Sequence, residues 1–357
     1  MSVNGKGFIL PAAEAIPAKA NDKVMVVDKK GQIQTVKSLG HPNLIELYPL
    51  LRPTPKYSEE QPQPSKYTTI TLEIILPGGR IDEHFNETTA EMPACDLALY
   101  VVSGRMRVTL GTMEKIVGPE TLIYLPTNVR RSLTNLGKGN AKFVRISGSA
   151  QEKKWGQPVY LKMPTWIGEQ KRKVGATQNQ VDNNKNGQKV LDENRNVFLL
   201  SVAEVVPIKA PDKIMVIDEK DQIQTIKSEG ESKLLQFYPL LRPTAEFTKL
   251  QPAPSMYTSV TLGKMQPGGC IYAHYHMHNA KMPIYDHVFY VISGRMRVAI
   301  GDVEKTVGAD TLIYCPSDMS HSLKNIGKGI AKYLTIRGTA EGTKMGGPVY
   351  SKVPACD

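Results

Sequence analysis

The chain has 357 residues, 41% of them hydrophobic and 22% charged, with 45 Lys and Arg against 34 Asp and Glu for a formal net charge of +11. That composition is ordinary for folded domains and excludes wholesale disorder, and the length accommodates two domains with sizeable cores. The basic residues are dispersed, the longest run being Lys171-Arg172-Lys173 with no interleaved aromatics. This argues against a nucleic-acid platform and fits a solvated basic surface or steering of an acidic small molecule.

At the N-terminus, Phe8-Ile-Leu-Pro-Ala-Ala superficially resembles a short signal peptide, but it lacks a basic leader and a continuous apolar stretch. The same segment recurs as Phe198-Leu-Leu-Ser-Val-Ala, so it belongs to the fold. No stretch approaches the roughly 18 apolar residues of a membrane span. The four cysteines, Cys95, Cys270, Cys315 and Cys356, form no paired framework. Reduced thiols in a cytoplasmic protein are the simpler expectation, although spacing alone leaves one bridge open.

A shift of 190 positions superimposes the two halves without a gap. Asp22-Lys-Val-Met-Val-Val-Asp28 meets Asp212-Lys-Ile-Met-Val-Ile-Asp218, and Tyr100-Val-Val-Ser-Gly-Arg-Met-Arg-Val108 meets Tyr290-Val-Ile-Ser-Gly-Arg-Met-Arg-Val298. Residues 168–195 are rich in Lys, Asn, Gln, Asp and Gly and cannot bury enough surface to offset their ordering entropy. The expected organisation is a first domain at 1–167, a polar linker at 168–195 and a second domain at 196–357. Within each copy, short runs rich in Val, Ile, Tyr and Thr are punctuated by Gly and Pro. Tyr257 to Lys264, His287 to Ser293, Met296 to Ile300 and Thr311 to Tyr314 read as strands, which predicts an all-β sandwich or barrel repeated twice.

Five of the seven histidines fall in one 48-residue window: His274, His276, His278, His287 and His321. In His274-Tyr-His276-Met-His278 the alternation places the imidazoles on one face of a strand. His287 opens the next strand and His321 follows the turn Cys315-Pro-Ser-Asp-Met-Ser320. Imidazole clusters with few carboxylates suit Zn, Cu, Fe or Ni and disfavour Mg and Ca. The shift supplies an internal control: His274 meets His84, His276 meets Asn86, His278 meets Thr88, His287 meets Leu97 and His321 meets Arg131. The first copy keeps one histidine and loses the set. Arg131 and Arg80 could instead make an anion pocket there, although an arginine on a strand is more often solvated.

These residues resemble the motifs of the cupin family, in particular its two-domain members, the bicupins. Pro267-Gly268-Gly269 leads to His274-Tyr-His276, and six residues separate His287 from Gly294. Gly308, Pro316, His321 and Asn325 resemble the second motif, with Asp318 where the family often has Gly. The resemblance covers most of each repeat and implies two tandem jelly-roll β-barrels joined by a polar linker, with a metal site only in the second. His287 stands where the family usually has a glutamate, so the implied ligands are His274, His276, His287 and His321, with His278 as a spare. Four neutral ligands leave the metal charge uncompensated, which strengthens Lewis acidity and favours anionic substrates.

The resemblance implies one divalent transition metal, Fe or Cu ahead of Mn, Ni or Zn. It further implies an oxygenase, like the histidine-rich cupin dioxygenases, acting on a small anionic or enol-forming substrate. A non-redox isomerase, lyase or decarboxylase and a non-catalytic storage-type bicupin are the alternatives. Tyr272, two residues before His274, together with Lys281 and Tyr285 in the loop beside the metal strand, are candidate substrate contacts. No catalytic acid or base is evident, although Asp286, Asp302 and Glu304 lie nearby. Neither a nucleic-acid nor a membrane partner is expected, and assembly into a homo-oligomer stays open.

Overall fold

The structure, a computed structural model, describes residues 7–15, 23–27, 33–37, 44–52, 65–86, 95–125, 127–149, 158–160, 198–205, 207, 213–217, 223–227, 234–243, 255–276, 285–338 and 348–350. The expected linker, His278 and Lys281 lie outside these residues. The described secondary structure is twenty-six strands and two single-turn 3-10 segments, Ala12–Glu14 and Val202–Glu204. Thirteen strands fall in each copy, every one displaced from its counterpart by 190 residues. The fold is all-β, as the repeat predicts.

Each copy builds a seven-stranded and a six-stranded sheet. In the second copy the seven-stranded sheet runs, in spatial order, Ile223–Lys227, Lys213–Ile217, Pro348–Tyr350, Cys270–His276, His321–Asn325, Met296–Ile300 and Val303–Val307. Its six-stranded sheet centres on Asp286–Ser293, flanked by Thr311–Cys315 and Ala331–Gly338. Phe289, Val291, Ile313 and Tyr333 from one sheet meet Val298, Ile300 and Leu323 from the other to fill the barrel. The first copy repeats this with Leu99, Val101, Ile123 and Phe143 against Val108, Leu110 and Leu133.

Side chains alternate across a strand, so the residues between these interior positions point out of the barrel. On the two six-stranded sheets those positions are also apolar. Leu72, Tyr100, Leu122 and Ile146 of the first copy share one buried cluster with Leu262, Tyr290, Leu312 and Ile336 of the second. The barrels therefore pack sheet to sheet, and this shared core explains why the central strands read as apolar on both faces.

Two carboxylates clamp the joint. Asp286 accepts hydrogen bonds from the backbone N–H groups of Lys66 (2.9 Å), Tyr67 (2.6 Å) and Thr68 (2.8 Å) in the other barrel, and from the Tyr314 hydroxyl (3.1 Å). Asp96 repeats the arrangement with Met256 (2.9 Å), Tyr257 (2.6 Å), Thr258 (2.8 Å) and the Tyr124 hydroxyl (2.8 Å). Burial pushes both carboxyl groups above their ordinary range, and these donors oppose the push. The backbones approach so closely that a Cβ on Gly148 would lie 1.8 Å from Thr258 Oγ1, and one on Gly338 would lie 1.8 Å from Thr68 Oγ1. Ion pairs of Lys142 with Asp310, and of Lys264 and Lys332 with Glu120, join the copies at the rim.

One connection crosses the division expected from the chain order. Phe8–Pro11 pairs antiparallel with Thr311–Cys315 of the second barrel, whereas Phe198–Ser201 pairs with Thr121–Tyr124 of the first. Each copy thus lends its opening strand to the other. The expectation of reduced thiols is also corrected at one position, because Cys270 is disulfide-bonded; Cys95 and Cys315 are free and buried.

Asp286→Ala would leave three backbone N–H groups and a phenol without their acceptor at a buried joint. At about 1–3 kcal/mol for each orphaned buried donor, a loss of about 3 kcal/mol or more is expected. A lowered urea midpoint, smaller for Asp286→Asn, would report it. An unchanged midpoint for the alanine variant would show that the clamp contributes nothing.

Candidate metal centre

The histidines meet at one end of the second barrel, between its two sheets. His274 and His276 lie on Cys270–His276, and His321 begins the neighbouring strand, paired in register with His274. His287 comes from the facing six-stranded sheet. Ring centroids are 4.3 Å apart for His274 and His321, 5.0 Å for His274 and His276, and 5.4 Å for His276 and His321. One nitrogen from each of these three lies within 4.8 Å of the others. The His287 ring is 4.6 Å from His276 and 5.0 Å from His321, close to the trio but outside that ligand-atom grouping.

The local backbone sets the ring orientation. His274 Nδ1 lies 2.8 Å from the Tyr272 carbonyl oxygen and His321 Nδ1 lies 2.9 Å from that of Met319. With Nδ1–H donated to those carbonyls, Nε2 faces the cluster as an acceptor, the tautomer a metal ligand needs. The turn before His321 is held by the Asp318 N–H, which donates to the His276 carbonyl at 3.0 Å. Asp318 adopts φ +64°, a left-handed conformation that Asp tolerates better than most residues, which explains why it serves where the resembling motif has Gly. Asn325 is structural: its amide donates to the Met265 and Gly329 carbonyls, and its oxygen accepts from Gly327.

All four rings are buried, none more than 5% exposed. Nε2 of His321 and both ring nitrogens of His287 hydrogen-bond to nothing in the protein. Buried polar atoms normally find partners, so this concentration of orphans is what a missing cation would satisfy. Burial lowers the His274 pKa from 6.5 to about 4, against the Tyr272 carbonyl, with Arg337 lowering it further. It pushes His287 and His321 well below their ordinary value, helped by the neighbouring rings and Arg337. His274, His287 and His321 are thereby neutral at physiological pH, and the donor set of the cluster fits a divalent transition metal. This is a histidine metal site; its chemistry leaves the metal's identity among Fe, Cu, Mn, Ni and Zn.

Of the candidate substrate contacts, Tyr285 stands at the cluster, its ring 5.6 Å from His276 and 6.3 Å from His287. Burial pushes its phenol up to about 12. Tyr272 joins the site through its carbonyl oxygen, which lies against His274 Nδ1, and the strand pairing shifts register between Ile271 and His274. The acids nearby in sequence do not enter. Asp286 faces the other barrel, Glu304 lies on an exposed edge strand with Arg297 4.0 Å away, and Asp302 is exposed.

Arg337 was not singled out by the motifs. Its Cα pairs with that of His287, and its guanidinium carbon lies 6.0 Å from the Tyr285 ring centroid. The internal comparison that exposes the histidines could have found it, because the 190-residue shift sets Arg337 against Ser147.

The corresponding end of the first barrel holds a cation in place of a metal site. The Arg131 guanidinium, 4% exposed, donates to the Asn86 side chain and, at 3.5 Å, to the Val129 carbonyl. His84 survives with the same orientation as His274, its Nδ1 2.8 Å from the Asp82 carbonyl.

Residues 261–337, most of the second barrel, match the family model described as "Cupin domain". The whole chain superimposes on solved two-barrel enzymes. It is similar to oxalate decarboxylase from Bacillus subtilis, at 16% identity and TM-score 0.55 over 98% of this chain and 79% of that one. The Lactobacillus farciminis oxalate decarboxylase in its formate complex gives 11% identity and TM-score 0.55 over 97% and 90%. The second barrel matches a cupin domain, and the chain as a whole has the two-barrel fold of these enzymes. A putative glyoxylate induced protein from Pseudomonas aeruginosa shares the bicupin fold at 13% identity and TM-score 0.50, over 85% of each chain. No curated protein matches the sequence. Among the described residues no helix is long and apolar enough to cross a membrane.

Two outcomes follow for this two-barrel chain. In the metal-free protein, stability is expected to fall as pH drops from about 6.5 toward about 4, because over that window the unfolded chain protonates His274 while the folded chain does not. Melting temperatures measured across the window check the sign; a flat or rising trend on acidification would contradict a buried neutral ring. Secondly, Asn86→His with Arg131→His, joined to His84, should give the first barrel a trio of its own. Zinc titration should then find a second equivalent, and failure to do so would mean that the first barrel differs by more than its side chains.

Proposed function

We propose that the second barrel is the active site of a metal-dependent enzyme acting on a small organic anion. The observation that carries this reading is the convergence of buried imidazoles, with Nε2 of His321 and both ring nitrogens of His287 hydrogen-bonded to nothing in the protein, in one copy of a duplicated fold and, among the described residues, not in the other. A fold kept twice needs the histidines in neither barrel, so their retention in one is assigned to chemistry.

His274, His276 and His321 would hold the ion, with His287 completing the set from the facing sheet. A bound Fe or Cu would supply Lewis acidity and redox capacity to a ligated substrate oxygen. The protein's own contribution is the burial of the four rings and a cationic field free of carboxylate ligands, which favours an anionic substrate. An Fe or Cu oxygenase is the reaction proposed first, because an all-imidazole site leaves the metal charge uncompensated and suits redox-active ions.

A second reading, a non-redox decarboxylase like the oxalate decarboxylases whose fold it shares, is favoured by a specific observation. The Tyr285 phenol is held protonated beside the histidines, where it can donate a proton to carbon or oxygen after a carboxylate is lost. No carboxylate base is required for that step.

Metal analysis of protein purified without added metal should find about one transition-metal ion per chain, and His276→Ala should lose it. Substrate-dependent oxygen consumption would favour the oxygenase, and anaerobic carbon dioxide release from oxalate the decarboxylase. Protein carrying no metal and binding none on titration would refute the proposal in favour of a storage-type bicupin.

A further inference from the structure

The pocket has a cation whose placement the metal site does not explain. Arg337 lies on Ala331–Gly338 with its Cα opposite that of the ligand candidate His287. Its outward-facing neighbour Ile336 belongs to the core between the barrels, and Tyr333, four residues earlier, fills the interior of the second barrel. By alternation Arg337 points inward with Tyr333. Its guanidinium stands 6.0 Å from the Tyr285 ring, which is itself 5.6 Å from His276. Its Nε is buried and hydrogen-bonds to nothing, and it enters no ion pair among the described residues.

The duplication makes this informative. The first barrel also carries an interior arginine on the matching strand, Arg145, but there the charge is neutralised by the buried Glu73 at 3.0 Å. The equivalents of Arg145 and Glu73 in the second barrel are Thr335 and Gly263, and the equivalent of Arg337 in the first is Ser147. The barrel without the histidines pairs its arginine off, whereas the barrel with them places an unpaired one beside them. A second guanidinium adds to the field: Arg242 donates to the Ser259 hydroxyl, and the Cα of Ser259 pairs with that of Arg337. Burying two cations near a prospective metal ion is costly unless an anion joins them.

We propose that Arg337 is the specificity-determining residue of this site and receives the carboxylate of a small carboxylic acid whose other end reaches the histidines. This deepens the functional reading above and rests on the second barrel being the substrate site. The guanidinium presents a planar fork matched to a carboxylate, which a lysine cannot reproduce. An uncharged enol without a carboxylate would leave Nε unsatisfied, so the pocket discriminates for acids.

The test is calorimetric titration of acetate, oxalate and malonate into chelator-stripped protein and into Mn(II)-loaded protein, using wild type, Arg337→Gln and Arg337→Lys. Losing a charge-assisted hydrogen-bonded pair should weaken the best-binding acid on the order of tenfold or more in Arg337→Gln, and by less in Arg337→Lys. Mn(II) affinity of Arg337→Gln should be unchanged or tighter, since a neighbouring positive charge is gone, a pattern that general damage to the fold would not give. Equal acid affinity in wild type and Arg337→Gln overturns the proposal even if metal binds. Wild-type protein that binds none of the three acids in either form overturns it as well. An Arg337-dependent affinity in stripped protein that takes up no metal supports it while refuting the metal reading.

Discussion

Everything in this molecule depends on two six-stranded sheets being buried on both faces. In each, one set of alternating residues fills its own barrel and the other set packs against the neighbouring copy. Such a strand cannot slip by one residue without exchanging the two sets, so register is fixed from both sides. The consequence appears at Asp286 and His287. Adjacent in sequence, they face opposite ways: the carboxylate into the joint between the barrels, the imidazole into the pocket. The clamp that ties the barrels together thereby fixes the strand that presents a candidate ligand.

Duplication then allowed the copies to differ where chemistry, and not packing, sets the residue. Interior core positions stay apolar in both barrels, while the pocket positions diverge into imidazoles and an unpaired arginine in one and into Asn86, Leu97, Arg131 and a neutralised Arg145–Glu73 pair in the other. Arg131 occupies the place of His321 and supplies a fixed positive charge in that copy.

Much of this was legible in the sequence for physical reasons. Strand positions followed from the 190-residue shift, because side-chain alternation and turn residues repeat with the backbone they specify. The histidine cluster followed from the same comparison, since losing ligands in one copy marks them in the other. Two features escaped for reasons that are equally concrete. The register shift in the pairing between Ile271 and His274, which lies beside the Tyr272 carbonyl that orients His274, is a local irregularity that alternation does not foretell. Arg337 belongs to no motif, and its place beside the histidines follows from the strand pairing that sets it opposite His287, which sequence alone does not give. The exchange of opening strands was invisible because Phe8–Pro11 and Phe198–Ser201 are similar apolar strands offered two near-identical sheet edges. Sequence specifies the pairing pattern and is silent on which edge a strand joins.

That exchange gives the chain the character of a homodimer with swapped arms whose protomers have been made continuous. The arm from the first copy reaches the business end of the second: the Gly7 N–H lies 3.3 Å from the Met319 sulfur, and the Met319 carbonyl is the group that orients His321. Neither half is therefore a self-sufficient module. The copy that lost its ligands still furnishes an edge strand and a buttress to the copy that kept them, so the histidine cluster is held by residues from both halves of the chain.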